Sequence, residues 1–278
     1  MSKHIFTPNG NTPMIVYAGN GSLKFIFPVP ERFTISNDDV LRIDDFFEPY
    51  IMPDGIPGFW SGLRPETPQL PALYLKKRVY PTGLGFRTIF SFSNPFRRAE
   101  WAARAVDAGI STPAVLAIGF RKKGLIIKAV YLVMEAVSDA EEVTDIFCRP
   151  NARARVALFI EDSSRLIASL HSAGLFHGDF RLSHFYYRGA VLSLWNPGWL
   201  RPWSGHLTER SILRDLGSLG ASVCIEAAKH RPVLDDFISC DATAELLLSA
   251  YAEVAPGWIP PLGPLVRTIE KNCARNAR

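Results

Sequence analysis

The stretch His177-Gly-Asp-Phe-Arg-Leu-Ser-His184 decides how this chain is interpreted. It lies between a helical pattern that ends at Gly174 and two short strand-like segments, 185–187 and 191–195, which a turn at Arg188-Gly189 joins into a predicted hairpin. The spacing is that of a catalytic loop of the form His-x-Asp, four residues, Asn, in which the carboxylate faces a substrate hydroxyl and the amide binds a metal ion. Asp179 has the position of that carboxylate and His184 the position of the amide. An isolated match also fits a helix-capping Asp beside a core histidine.

Residues before this loop supply two further parts of a nucleotide site. Lys76 lies in a predicted strand, 72–80, and Glu100 lies in the helix predicted to start at Asn94-Pro95 and to stop at Gly109. A strand lysine held by a helix glutamate is the pair that contacts the α- and β-phosphates in phosphoryl-transfer enzymes. Taken singly, both side chains also fit a solvated surface.

The apolar run 129–134 predicts a buried strand that ends at Glu135. The backbone of Glu135 and Val137 would then be available to an adenine edge, while Met134 alone also fits a plain core position. Asn196 follows the apolar segment 191–195, at the place of a metal-binding carboxylate. Five such features in one order are harder to explain separately than together.

The order of elements predicts an α+β, bilobal protein. Strands, turns and one helix dominate residues 1–135, the predicted small lobe, and helices with an inserted hairpin dominate residues 136–278, the predicted larger lobe. Two predicted helices of the larger lobe each have a buried face: Val156, Phe159, Ile160, Ser163, Ile167 and Leu170 in the first, and Ile212, Leu216, Leu219 and Val223 in the second. Thr208 is predicted to cap the second helix, and Asp241 is predicted to cap a later one.

Composition excludes several classes of protein. The chain has 278 residues, 47% hydrophobic and 21% charged, which is typical of a globular protein rather than a disordered one. The longest apolar stretch, 125–137, contains Lys128 and is shorter than the about 20 residues of a membrane span. No apolar signal segment opens the sequence, so we expect a cytoplasmic protein. The four cysteines are widely spaced, and ordinary reduced thiols are expected.

The net charge of +4 leaves the partner open, because basic clusters attract anionic small molecules, nucleic acid or acidic lipid, and also occur on ordinary solvated faces. These clusters are 76–78, 97–98, 121–123 and 149–155.

The motifs together resemble the lipopolysaccharide kinases that phosphorylate inner-core heptose or Kdo, a branch of the protein-kinase-like superfamily. The resemblance covers about residues 72–220, in segments. It rests on Tyr74-Leu-Lys76, Ala99-Glu100-Trp101, Ala108-Gly-Ile-Ser-Thr-Pro113 with Ile118-Gly119, and Leu170-His-Ser-Ala-Gly-Leu-Phe-His-Gly-Asp-Phe-Arg-Leu-Ser-His-Phe185. This family also has His at the place of His184. Arg214-Asp215-Leu216 resembles a segment to which the family gives a structural, anchoring role.

The resemblance implies a protein-kinase-like fold and transfer of the γ-phosphoryl group of ATP to a sugar hydroxyl of the lipopolysaccharide core. Lys76, held by Glu100, would orient ATP, and Asp179 would accept or direct the hydroxyl proton. His184 and Asn196 would bracket Mg²⁺, and His184 would help to hold the nucleotide. The implied partners are ATP, the sugar acceptor and the anionic surface of the inner membrane, with no nucleic acid.

Two departures favour a second interpretation, a pseudokinase that binds a partner or nucleotide without catalysis. Asn196 stands where the family has Asp, and a neutral amide is a weaker ligand for Mg²⁺ than a carboxylate. A glycine-rich phosphate loop is also not evident before Lys76; Gly19-Asn-Gly21 and Gly55-Ile-Pro-Gly58 are candidates, and ordinary turns explain both equally well. Asn196→Asp is expected to strengthen Mg²⁺-ATP binding.

Overall fold

The structure is a computed structural model, and its chain forms two compact units. One unit comprises Met1–Ala103 with Pro113–Val137, and the other comprises Arg104–Thr112 with Ser138–Arg278. The described residues are 3–6, 14–18, 23–28, 58–64, 73–79, 101–102, 104–113, 115–123, 126–137, 139–195, 200–202, 208–230, 234, 238–255, 257 and 259–276. The division into lobes at 1–135 and 136–278 stays a prediction.

The first unit contains a seven-stranded antiparallel sheet in the order β1-β2-β3-β6-β7-β5-β4. Its strands are β1 (Lys3–Phe6), β2 (Met14–Ala18), β3 (Leu23–Pro28), β4 (Gly58–Arg64), β5 (Leu73–Val79), β6 (Val115–Lys123) and β7 (Ile126–Glu135). The strands predicted around Lys76 and over the apolar run 129–134 are confirmed as β5 and β7. Isoleucine, valine and aromatic residues recur in these segments, and their branched or flat side chains pack well on a pleated surface.

The register of the sheet fixes the backbone position of two predicted site residues. Lys76 pairs with Leu132 of β7 on one side and with Ser61 of β4 on the other. Glu135 is the last residue of β7 and pairs with Leu73. Both candidate glycine loops lie outside the described residues, except for Gly58, which begins β4.

Among the residues that the structure describes, the second unit contains four long helices and two small sheets. The helices are α1 (Ala152–Ser172), α2 (Glu209–Lys229), α3 (Cys240–Val254) and α4 (Leu262–Asn276). One sheet joins β8 (Ala140–Glu142), β10 (Phe185–Arg188) and β11 (Val191–Leu194), and the other joins β9 (Leu175–Phe176) and β12 (Arg201–Pro202). Short 3₁₀ helices span Val143–Cys148 and Leu182–His184.

The core of the second unit follows the predicted helical faces. Every residue of the two predicted faces is buried in the structure: Val156, Phe159, Ile160, Ser163, Ile167 and Leu170 in α1, and Ile212, Leu216, Leu219 and Val223 in α2. The hairpin is confirmed as β10 and β11, which pair from Phe185 opposite Leu194 to Arg188 opposite Val191. The α+β class predicted from the sequence is therefore confirmed.

Two helices end at glycines, as the sequence predicts, but the predicted N-terminal cap of α3 needs correction. Gly109 and Gly174 have φ of 76° and 70°, the left-handed conformation that glycine adopts without a steric penalty after a helix. The predicted cap of α3 at Asp241 is wrong. The cap is Ser239, whose hydroxyl accepts a hydrogen bond from the backbone N–H of Ala242, while Asp241 lies in the first turn. Both residue types accept such bonds, and the sequence does not separate them.

Within the part of the chain that the structure describes, no helix is long and apolar enough to cross a membrane.

Candidate active site

A loop, residues 177–184, carries the predicted catalytic residue Asp179 and the predicted metal ligand His184, and a buried carboxylate holds its backbone. Asp215 of α2 is fully buried. Its carboxylate accepts hydrogen bonds from the backbone N–H of His177, at 3.0 Å, and from the backbone N–H of Gly178. Gly178 has φ of 87°, so the loop turns sharply at the residue that Asp215 binds. The anchoring role expected for Arg214-Asp215-Leu216 thus falls on this carboxylate.

The network continues below the loop into two further helices. Nε2 of His171, in α1, lies 3.1 Å from the carboxylate of Asp215, and Nδ1 of the same ring lies 2.9 Å from the hydroxyl of Tyr251, in α3. Burial, and then the charge of Asp215, raise the pKa of Tyr251, which therefore keeps its proton and can donate to His171. Each described polar group in this chain of contacts has a partner, as buried polar groups require.

Side-chain packing fixes the rest of the loop. Phe180 is fully buried, with its ring centre 5.4 Å from that of Phe185, and the ring of His177 stacks on it at 4.6 Å. The backbone N–H of Leu182 donates to the hydroxyl of Ser222 of α2 at 3.2 Å. The loop is therefore bound to α2 at both of its ends.

Asp179 differs from its buried neighbours because its side chain is 48% exposed. Its carboxylate pairs with the guanidinium of Arg181, with Nη2 at 3.0 Å and Nε at 3.4 Å. The result is a carboxylate on a fixed loop, open to solvent and next to a cation, which can accept a proton from a bound hydroxyl.

His184 lies on the same loop as Asp179. Nδ1 of His184 accepts a hydrogen bond from the backbone N–H of Arg181 at 3.2 Å, and its ring centre is 4.6 Å from that of His177. In a neutral imidazole, an accepting Nδ1 leaves the proton on Nε2. This described contact shapes the loop, and the metal-binding role of His184 stays a prediction.

The structure describes the other predicted site residues only in part. Glu100 and Asn196 lie outside the described residues, as does the side chain of Lys76. Val137 is half-buried just after β7. Lys76 and Asp179 belong to different units, so their meeting across a nucleotide stays a prediction.

Two grooves of the second unit share Asp179 as a wall. The larger has a volume of about 980 Å³ and runs along α2 and α4; the smaller, of about 330 Å³, reaches the ends of the same helices. Four cations line the larger groove: Arg210 and Arg214 of α2, and Lys271 and Arg275 of α4. Its acidic residues are Asp179 and Glu209, so the groove is basic.

None of these four cations forms an ion pair with another residue that the structure describes. By contrast, Arg149 and Arg155, from one of the basic clusters noted in the sequence, both pair with Glu141, at 3.2 and 2.8 Å. The basic clusters noted in the sequence therefore do not include the basic surface beside Asp179. The sequence feature that could have revealed this surface is the i,i+4 spacing of Arg210 with Arg214 and of Lys271 with Arg275, which places each pair on one helix face.

Comparisons with known proteins agree with the motifs. The sequence model described as the lipopolysaccharide kinase (Kdo/WaaP) family matches residues 85–191, which include the loop 177–184. A search of curated proteins finds no match. Among solved structures, one of WaaP in complex with acyl carrier protein has a TM-score of 0.53 and 18% identity, over 81% of this chain and 87% of that chain.

A kinase domain of PknI from Mycobacterium tuberculosis, in a variant form, has a lower TM-score of 0.44 and 12% identity, over 78% of this chain and 90% of that one. The resemblance to the lipopolysaccharide kinase family is confirmed by the family match, and the protein-kinase-like fold by the likeness to WaaP. The family match supports a kinase of lipopolysaccharide biosynthesis.

Proposed function

We propose that the protein is an ATP-dependent kinase that phosphorylates a hydroxyl of an anionic sugar in the lipopolysaccharide core, with Asp179 as the catalytic carboxylate. The observation that carries this proposal is the position of Asp179. It lies on an anchored loop, exposed, at the wall of a groove with an excess of cations. The family match over residues 85–191 supports the reaction class.

The anchoring of the loop suits this chemistry. Phosphoryl transfer is catalysed mainly by positioning and by charge stabilisation, so the catalytic carboxylate must be held in a fixed position. Asp215 binds two successive backbone N–H groups just before Asp179, and Ser222 binds the backbone at Leu182. These bonds hold the loop on both sides of the carboxylate without using the carboxylate itself.

Asp179 and Arg181 have complementary tasks in this proposal. Asp179 accepts the proton of the acceptor hydroxyl as the new bond to phosphorus forms, while the bond from the γ-phosphorus to the β-phosphate oxygen breaks and ADP leaves. Arg181, whose Nη2 lies 3.0 Å from that carboxylate, stabilises negative charge that develops on the transferred group. Both side chains are about half exposed, so a substrate can reach them.

The basic groove is the proposed acceptor site. Arg210 and Arg214 are one turn apart on α2, and Lys271 and Arg275 are one turn apart on α4. Like charges at this spacing repel each other and destabilise a helix slightly. A bound carboxylate or phosphate would relieve that repulsion, and Arg is well suited to bind either group with two hydrogen bonds. The acceptor is therefore an anionic sugar.

The nucleotide is assigned to the remaining predicted residues. ATP supplies the phosphoryl group, and Mg²⁺ neutralises charge on its phosphates. Lys76 and Glu100 are the proposed phosphate contacts, the backbone at Glu135 and Val137 the adenine contact, and His184 and Asn196 the metal side. Action at the cytoplasmic face of the inner membrane is part of the same proposal.

A transfer assay with matched variants tests the proposal. The purified full chain is incubated with ATP labelled at the γ-phosphate, Mg²⁺ and dephosphorylated lipopolysaccharide core. Asp179→Asn should lower transfer by about 10²–10⁴-fold. Asp139→Asn is the control, because Asp139 is also exposed and pairs with one arginine, Arg188, at 3.2 Å, and it should leave transfer within about twofold. Full activity in Asp179→Asn would show that another group acts as the base.

The pseudokinase remains the second candidate, because Asn196 replaces an expected carboxylate. In that case ATP would raise the thermal midpoint of the protein without any transfer. Asn196→Asp should strengthen binding of Mg²⁺-ATP, since a carboxylate is the better ligand for this ion. Unchanged affinity would show that residue 196 is not at the metal.

A further inference from the structure

Three of the four cysteines of the chain meet in the second unit, although the sequence separates them widely. Cys224 lies in α2, Cys240 is the first residue of α3, and Cys273 lies in α4. Their sulfur atoms all lie within 4.8 Å of one another. All three are partly buried and are free thiols, while the fourth cysteine, Cys148, is exposed.

The distances between the three sulfurs are close to those of a metal site. In an equilateral triangle of this side the centre lies about 2.8 Å from each corner, against about 2.3 Å for a zinc–sulfur bond, so each sulfur needs to move by only about half an ångström. Rotation of a cysteine side chain supplies such a movement without any shift of the helices.

The three side chains are partly buried and come from three different helices, so an ion held between them would be screened from bulk water and would link those helices. A metal ion binds cysteine as the thiolate, so an ion at this place would displace the thiol protons.

Hydrogen-bond partners orient two of the sulfurs. Sγ of Cys224 lies 3.6 Å from the hydroxyl of Thr243, and the thiol of Cys273 lies 3.7 Å from the carbonyl oxygen of Ala221, to which it donates. Thr243 is fully buried and comes from α3, so its contact with Cys224 also joins α2 to α3 beside the sulfurs. Three sulfur ligands select soft ions such as Zn²⁺, Cd²⁺ or Cu⁺ over hard ions such as Mg²⁺.

We propose that Cys224, Cys240 and Cys273 form a three-thiolate site for a soft metal ion, which ties α2, α3 and α4 together. The site is separate from the proposed magnesium site and does not depend on the proposed kinase activity. Because α2 and α4 also form the basic groove, the bound ion would stabilise the groove from within the helix bundle.

Cadmium is a suitable probe, because its bonds to thiolates give an ultraviolet charge-transfer absorption. The full chain is reduced, freed of metal with a chelator and titrated with CdCl₂. One ion per chain should produce this absorption and raise the thermal midpoint by at least about 3 °C. Cys148→Ser is the matched control and should behave like the wild type, whereas Cys240→Ser and Cys273→Ser should lose most of the absorption.

A second measurement uses the wild-type chain alone, in case a serine variant does not fold. Native protein is alkylated with iodoacetamide with and without CdCl₂, and each cysteine is then quantified by mass spectrometry. Cadmium should slow modification of Cys224, Cys240 and Cys273 and leave that of Cys148 unchanged. Equal modification at every cysteine, an absorption that depends on Cys148, or a disulfide between two of the three after purification without reductant would each overturn the proposal.

Discussion

Two aspartates at the loop 177–184, one on the loop and one that binds its backbone, have opposite surroundings. Asp215 lies beneath the loop, fully buried, and accepts hydrogen bonds from His177, Gly178 and His171. Asp179 lies on the loop with about half of its side chain exposed, and its ion pair is with Arg181. A buried carboxylate that accepts three hydrogen bonds holds structure, whereas an exposed carboxylate paired with one exposed side chain is available to a substrate.

The same contrast separates the interior of the second unit from its groove. In the interior, His171 and Tyr251 complete a network that joins three helices. In the groove, Arg210, Arg214 and Lys271 carry charge that no described residue neutralises. The structure thus places satisfied polar groups where stability is needed and unsatisfied charge where a ligand is expected. Measurements of the free energy of unfolding test this division.

Loss of the buried carboxylate should have the largest effect. Asp215→Ala leaves two backbone N–H groups and the ring of His171 without their acceptor, and the free energy of unfolding should fall by about 3–5 kcal/mol. Urea unfolding followed by circular dichroism measures this. Asp179→Ala is the control and should change stability by less than about 1 kcal/mol, because exposed ion pairs contribute little. Equal losses in both variants would remove the distinction between the two aspartates.

Gly220→Ala should have the next largest effect. A Cβ at Gly220 would lie 2.6 and 2.9 Å from two side-chain carbons of Ile269, which is fully buried, so the Ile269 side chain or α4 itself must shift. Overpacking of this kind costs about 1–3 kcal/mol. The control is Gly263→Ala at the start of α4, where the nearest contact is the flexible end of Arg267 at 3.4 Å and a gain in helix propensity is expected. Stabilisation by both changes would show that the helices do not pack closely at Gly220.

Tyr251→Phe should have a smaller effect. It removes the hydroxyl 2.9 Å from Nδ1 of His171 and leaves that buried nitrogen without its partner, at a cost of about 1–2 kcal/mol. Tyr187→Phe is a useful comparison, because the Tyr187 hydroxyl donates to an acceptor nearer the surface, Asp162, at 3.3 Å. A larger loss for Tyr187→Phe would contradict the central place of the His171 network.

Arg181→Gln should affect stability least. The pair that it breaks joins side chains 53% and 48% exposed, so the free energy of unfolding should change by less than about 1 kcal/mol. Transfer of phosphate should nevertheless fall by about 10²-fold, because a cation next to the reacting group is lost. If stability falls sharply while transfer is retained, Arg181 is a structural residue.

The sequence predicted the elements whose signals are local. The apolar faces of α1 and α2, the hairpin after the loop and the stop at Gly174 follow from periodicity and from glycine. The loop itself follows from the spacing of His177, Asp179 and His184. These features need no knowledge of which helices touch.

What the sequence did not reveal depends on long-range packing. The contact of Cys224 with Cys240 and Cys273 arises only because α2, α3 and α4 pack together, and the spacing of these cysteines resembles no known metal motif. The basic groove requires α4, a helix that was not predicted from the sequence, to lie along α2. Similarly, the partners of Asp215 are 37 to 44 residues away in the chain.

The acceptor kinetics of a groove variant test the central claim most directly. Lys271→Gln combined with Arg275→Gln removes two cations from the groove, and Arg267→Gln removes one cation from α4 outside its lining. We expect the double variant to raise the KM for the sugar acceptor by at least about tenfold, because the lost contacts bind the acceptor in the ground state. The kcat and the KM for ATP should stay within about twofold of the wild type. An acceptor KM equal to that of Arg267→Gln and of the wild type would contradict the claim.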